Sequence, residues 1–186
     1  GAVQRRAVVD EDPRRRALRR VERDRDLDAA LRPRELDALV RREDGKGMRA
    51  NDGFLDPGLA WSAFVEPAVQ GLGEKAGALV FQLSPLAPGM LARMPHWIAR
   101  LQAMLAALPP LATLRAQAPD LVLAVEVRNA EWLVPAFADA LRATGATYCL
   151  GGHAKLPPIE DQLPVLRALW PGPMVCRWNL HRAHGA

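Results

Sequence analysis

The residues able to do chemistry in this chain fall at the ends of apolar runs. Four such runs finish in Gln82 and Ser84, in Glu126 and Arg128, in Gly151, Gly152 and His153, and in Arg177 and Asn179. Residues two apart share one face of a strand, so each polar pair lies together while its apolar neighbours take the other face. Arg128 and Arg177 would offer planar, permanently charged donors matched to a carboxylate or a phosphate. Glu126, two residues before Arg128, would pair with either guanidinium, or serve as a general base if burial raised its pKa. Gln82, Ser84 and Asn179 add neutral donors and acceptors that orient a ligand. His153 follows Gly151 and Gly152, where a backbone without Cβ atoms lets a ligand come close. The competing reading is an internal Arg and Glu network that fills the mouth of the fold, because an unpaired buried charge is costly.

Other chemistries lack their residues. Ser84 has no G-x-S-x-G around it, so it is not set in a nucleophile elbow. No Walker or dinucleotide glycine fingerprint is present, so no cofactor is expected. His181 and His184 would share a face only in a helical tail, and the sequence given ends two residues after His184, so no metal is expected. Lys155 reads as a solvated residue, and Trp132, Trp170 and Trp178 read as packing residues rather than base-stacking platforms. The two cysteines, Cys149 and Cys176, each fall inside an expected strand and form no C-x-x-C pair. They read as reduced, buried thiols of a cytoplasmic protein. No apolar run approaches the roughly 20 residues needed to cross a bilayer, so no membrane span is expected.

The net charge of +4 raises the question of nucleic acid, and its distribution answers it. Residues 1–56 hold 15 Lys and Arg against 13 Asp and Glu, and residues 57–186 hold 10 against 8, so each part carries only +2. Clusters such as Arg14-Arg15-Arg16 and Arg19-Arg20 are followed by Glu22, Asp24, Asp26 and Asp28, which would repel phosphates. A surface that tracks a phosphate backbone needs basic residues without that interleaving. Nucleic acid is therefore not the expected partner.

The elements that must position the polar tips begin after a change of texture near Asp44 to Asn51. Residues 1–45 are about half charged and carry no aromatic residue. They read as a disordered or weakly helical arm, with Leu27, Ala30, Leu31 and Leu36 as a short stripe interrupted by Pro33. Asp56-Pro57 then signals a helix start, and Leu59, Ala60, Ala63 and Phe64 give it an inward stripe until Pro67 kinks or ends it. A strand over 78–84 follows, then a helix over 95–108 with Ile98, Leu101, Leu105 and Leu108 aligned. The run 121–129 is the clearest strand, apolar almost throughout, as in a parallel sheet covered by helices. A helix over 131–144 should turn Leu133, Val134, Phe137 and Leu141 inward and stop at Gly145. A strand over 147–152, a helix over 157–170 with Ile159, Leu163, Leu166 and Trp170 aligned, and a strand over 174–180 complete the series. Regular alternation of this kind predicts right-handed βαβ units.

The segments Phe54-Leu55-Asp56-Pro57, Phe81-Gln82-Leu83-Ser84-Pro85, Glu126-Val127-Arg128-Asn129-Ala130-Glu131-Trp132 and Arg177-Trp178-Asn179, in this order, resemble the YecE-like family, domain of unknown function 72. The resemblance covers roughly residues 40–186 and implies a TIM-type barrel with the polar tips at the ligand-facing rim. The Gly-Trp-rich opening and Phe-Tyr element with which family members begin are absent from the sequence given. A full barrel needs eight strands, and four are counted here. The expectation is thus the carboxyl-terminal half of a barrel, with an amino-terminal segment that a misread or truncated gene would explain.

The fold class expected is α/β: a partial (β/α) TIM-type barrel of about four parallel strands with covering helices over 46–186, preceded by the charged segment 1–45. The function expected is binding of a small anionic ligand at the carboxyl ends of the strands, with enzymatic activity left open and Glu126 as the candidate catalyst for it. The alternatives are a non-catalytic anion- or RNA-binding regulator and a fragment without activity. Self-association through exposed barrel edges is the expected protein contact.

Overall fold

The computed structural model describes residues 37–44, 46–152 and 156–178, which all lie in the unit Pro33–Ala186. The stripe expected at Leu27 to Leu36 falls outside the described residues. A hairpin opens the described chain: β1 (Leu39–Arg41) pairs antiparallel with β2 (Met48–Ala50), with Leu39 opposite Ala50. Gly47 sits in the turn at a φ of 87°, a conformation that costs glycine little. The hairpin was not expected, and it draws residues of the charged segment into the fold, with Ala38 fully buried.

Asp56 caps the first helix as the sequence predicts, its Oδ1 accepting from Leu59 N at 2.8 Å, with Pro57 next. The helix runs as α1 (Pro57–Leu59), a π turn (Ala60–Val65) and α2 (Glu66–Leu72). Pro67 was expected to kink or end it, and it does not end it. The register slips just before the proline, where Glu66 N donates to Trp61 O, so Pro67 falls in the first turn of a new α segment, where a missing donor matters least. The slip also moves the inward stripe. Ala60, Val65 and Val69 are buried, whereas Leu59 and Ala63 are exposed.

The rest of the chain alternates strands and helices. It runs β3 (Ala78–Gln82), α3 (Pro88–Leu91), α4 (Met94–Ala106), α5 (Leu111–Arg115), β4 (Val122–Glu126), α6 (Pro135–Thr144), β5 (Thr147–Gly152), α7 (Ile159–Ala168) and β6 (Val175–Trp178). The four strands β3-β4-β5-β6 lie in that order, all parallel, in a sheet curled into half of a barrel with helices on its outer face. Successive strands are neighbours because each crossover helix returns the chain to the adjacent position with the same hand. Leu79, Phe81, Leu123 and Val125 are buried on the convex face, and Phe64 meets Phe81 edge-on at 5.0 Å. Ile98, Leu101, Leu105 and Leu108 are all buried, as their spacing predicts.

Two helix readings need correction. The helix expected from Glu131 starts at Pro135, after a short 3-10 turn (Ala130–Trp132). Val134, expected inward, is the exposed residue before the helix, while Phe137 and Leu141 are buried and Gly145 ends the helix at a φ of 71°. In α7 the expected stripe Ile159, Leu163, Leu166 and Trp170 is not the buried one; Gln162 and Val165 are. The cause is position, since only the side of α7 over β5 has a covered neighbour and the other side looks past the sheet edge at β6. Trp170 and Trp178, read as packing residues, are 77% and 68% exposed there, and Cys176 is exposed while Cys149 is buried.

Candidate functional site

Strand register brings three distant motifs to one carboxylate. Gln82 ends β3 directly opposite Glu126 at the end of β4, and Gly151 of β5 lies opposite Arg177 of β6. Gln82, Glu126 and Arg177 leave the concave face at the carboxyl ends of the strands, where parallel α/β folds place ligands. The curl lets Arg177 on the last strand reach back to the first, so that its Nη1 donates to Gln82 Oε1 and, at 3.2 Å, to Glu126 Oε2. Arg128 Nη2 stands 3.1 Å from the other carboxylate oxygen, Oε1. The Glu126 side chain is 1% exposed, whereas those of Arg128 and Arg177 are 18% and 37% exposed. Although it is ion-paired with Arg128, Oε1 completes no hydrogen bond among the described residues.

Two guanidinium groups thus face one buried carboxylate at this rim. Cys149, one residue along β5 from Tyr148 and on the Glu126 face, feels the cluster. Burial first, and then the Glu126 charge, push its thiol up from 9.0 to about 12, with Arg177 opposing. The thiol is therefore protonated at neutral pH and is no nucleophile. Among the described residues no group of three or more His, Cys, Asp and Glu is placed to hold a metal ion.

Not every expected site residue joins the cluster. Ser84 Oγ instead accepts from Ala38 N at 2.8 Å and ties the hairpin to the end of β3. His153 and Asn179 lie outside the described residues, as do Lys155, His181 and His184. At Gly151 and Gly152 the missing Cβ makes room for the chain itself: a Cβ would stand 2.3 Å from Leu156 Cδ1 at the first and 2.4 Å from Trp178 Cε3 at the second. Two polar residues were missed in the sequence. Asn129 Oδ1 accepts from Leu86 N at 2.7 Å and holds the loop after β3 against the tip of β4. Gln162, fully buried in α7, accepts at Oε1 from Tyr148 Oη and Gly151 N, at 2.8 and 3.0 Å, and donates from Nε2 to Gly151 O and Pro157 O, at 3.0 and 2.6 Å. Burial above all raises the Tyr148 pKa, followed by the charges of Cys149 and Glu126, which keeps its hydroxyl a donor. The signal for Asn129 was its place just after the β4 tip; Gln162 left no signal, because an amide between Ile159 and Leu166 reads as a solvent-facing residue.

The family model for "Protein of unknown function DUF72" matches residues 46–186. The chain belongs to the DUF72 family. All four residues of the cluster lie inside the DUF72 match, Gln82 from the Phe81 to Pro85 segment, Glu126 and Arg128 from the Glu126 to Trp132 segment, and Arg177 from the last strand. No curated protein and no solved structure matches this DUF72 chain. No helix among its described residues is long and apolar enough to cross a membrane.

Proposed function

We propose that the rim of this half-barrel binds a small anion bearing a phosphate or carboxylate group, with Arg177 and Arg128 as the charged donors and Gln82 as a neutral one. The observation that carries the reading is the convergence of two partly exposed arginines on Glu126. A purely structural ion pair would be satisfied by one arginine, yet a second guanidinium is held beside the same buried carboxylate, and both keep an edge toward solvent. Two partly exposed guanidinium groups in a partly desolvated mouth favour an anion that can take a planar N–H fork.

Glu126 is then a positioning residue. Both of its oxygens face guanidinium groups and its side chain is closed to solvent, so a substrate proton could not reach it without displacing an arginine. The carboxylate instead fixes the direction in which the two forks point. Gln82 holds the far side of Arg177, so the donor array is set before a ligand arrives.

A thermal-shift screen of phosphorylated and carboxylated metabolites tests the reading. Stabilisation by at least one of them is expected, and it should be lost in Arg177→Ala and reduced in Arg128→Ala. The same shift in the wild type and both variants would count the cluster as structural only.

A further inference from the structure

The sheet stops with both of its edges open among the described residues, and the two edges differ. At the β3 edge a helical segment precedes the strand: α1 to α2, the stretch 57–72, packs Phe64 on Phe81 and carries exposed Leu59 and Leu72. At the β6 edge no described helix follows the strand. In its place the end of α7 and the loop into β6 leave an apolar groove of about 300 Å³ lined by Leu166, Leu169, Trp170 and Met174, with Arg167 as its only charged residue. Trp170 and Met174 are 77% and 65% exposed. The described chain is therefore four helix-then-strand units, with a spare helix at one end and a bare groove at the other.

We propose that a second copy of this chain closes the sheet, β6 of each copy pairing in parallel with β3 of the other to complete an eight-stranded ring. A two-fold axis along the axis of the barrel keeps all strands parallel, and the four described strands of the sheet from each copy make the number at which such a barrel closes. Each β6 to β3 seam then needs a helix over it, as every other pair of neighbours has. The partner's segment 57–72 is the one that precedes its β3, so it arrives over the seam and against the groove. The charges agree: Asp56 and Glu66 are the only ionisable residues over 56–72, and the groove offers Arg167. Closure also removes two strand edges and covers Trp170, Met174, Leu59 and Leu72, a set that a lone copy leaves in water. The proposal goes beyond anion binding, and either can fail without the other.

Sedimentation velocity on the full chain over a wide range of concentration is the test. A closed dimer, at twice the chain mass of 20.4 kDa and with nothing larger, is expected. Trp170→Glu on the groove side and Leu72→Glu on the helix side should each raise the dimer dissociation constant by at least about tenfold, with circular dichroism showing that the monomers are folded. Met174→Glu replaces Trp170→Glu should that variant not fold. Mixing the two variants should recover dimer, because the mixed pair keeps one seam in which neither surface is altered. A wild-type monomer, a mass that grows without limit, or a dimer broken by Trp170→Glu but untouched by Leu72→Glu would each overturn the proposal.

Discussion

Glu126 and Gln162 are both fully buried polar residues at the same end of the sheet, one on its concave face and one beneath α7, and they are satisfied in opposite ways. The Gln162 amide makes four hydrogen bonds, two through each of its polar atoms. Its neighbourhood is neutral and complete, with nothing left to offer a ligand. Around Glu126 the counts are unequal: two arginines face one carboxylate, one carboxylate oxygen completes no hydrogen bond among the described residues, and both guanidinium groups keep solvent access. A complete neutral network locks β5 to α7. An incomplete charged one, aimed at the open end of the strands, is what a binding site looks like before its ligand arrives.

Breaking the neutral network should have the largest effect on stability. Gln162→Leu leaves the Tyr148 hydroxyl and the Gly151 and Pro157 backbone groups without their amide partner, and a loss of about 3 kcal/mol is expected in urea unfolding. Glu126→Gln should cost about 2 kcal/mol, less than the removal of a partner from a fully buried pair, because both arginines can turn partly to water. Were Glu126→Gln the more damaging of the two, the cluster would be the structural lock and the contrast would be reversed. Tyr148→Phe removes one donor while Gly151 N still serves Gln162 Oε1, so about 1 kcal/mol is expected from the same measurement.

At neutral pH the smallest effect should come from Cys149, whose ionisation bears on stability only in alkali. Its folded pKa lies above that of a free thiol, so its contribution to stability is full below pH 9.0 and is lost as pH rises toward about 12. Unfolding monitored across that window should show the decline, and Cys149→Ala should make it shallower, with the remainder due to Tyr148, whose pKa is also raised. At neutral pH a thiol reagent should modify Cys176, exposed in the single chain, faster than buried Cys149, which reacts only as the chain opens.

The strands were legible because a near-continuous apolar run with polar residues at its tip has one reading, and the register that unites Gln82, Glu126 and Arg177 follows from the period of two. What the pattern could not carry was anything set by the sheet edge. The spacing of Ile159, Leu163, Leu166 and Trp170 is regular, yet a helix beside an edge strand has a covered side and a bare side, and periodicity does not say which is which. Ser84 was placed on the expected face, but the hairpin that claims its hydroxyl begins in a charged segment with no strand signal. Pro67 misled for a different reason: a one-residue slip into a π turn is invisible in sequence and is what lets the helix continue.

Anion binding at the rim is most directly tested by titration calorimetry of inorganic phosphate into the full chain and into Arg177→Ala at low ionic strength. Saturable binding by the wild type, weakened at least about tenfold by the substitution and weakened again by added salt, is the expected result. Equal heats from both proteins, or none from either, would mean that Arg128 and Arg177 serve only to neutralise Glu126.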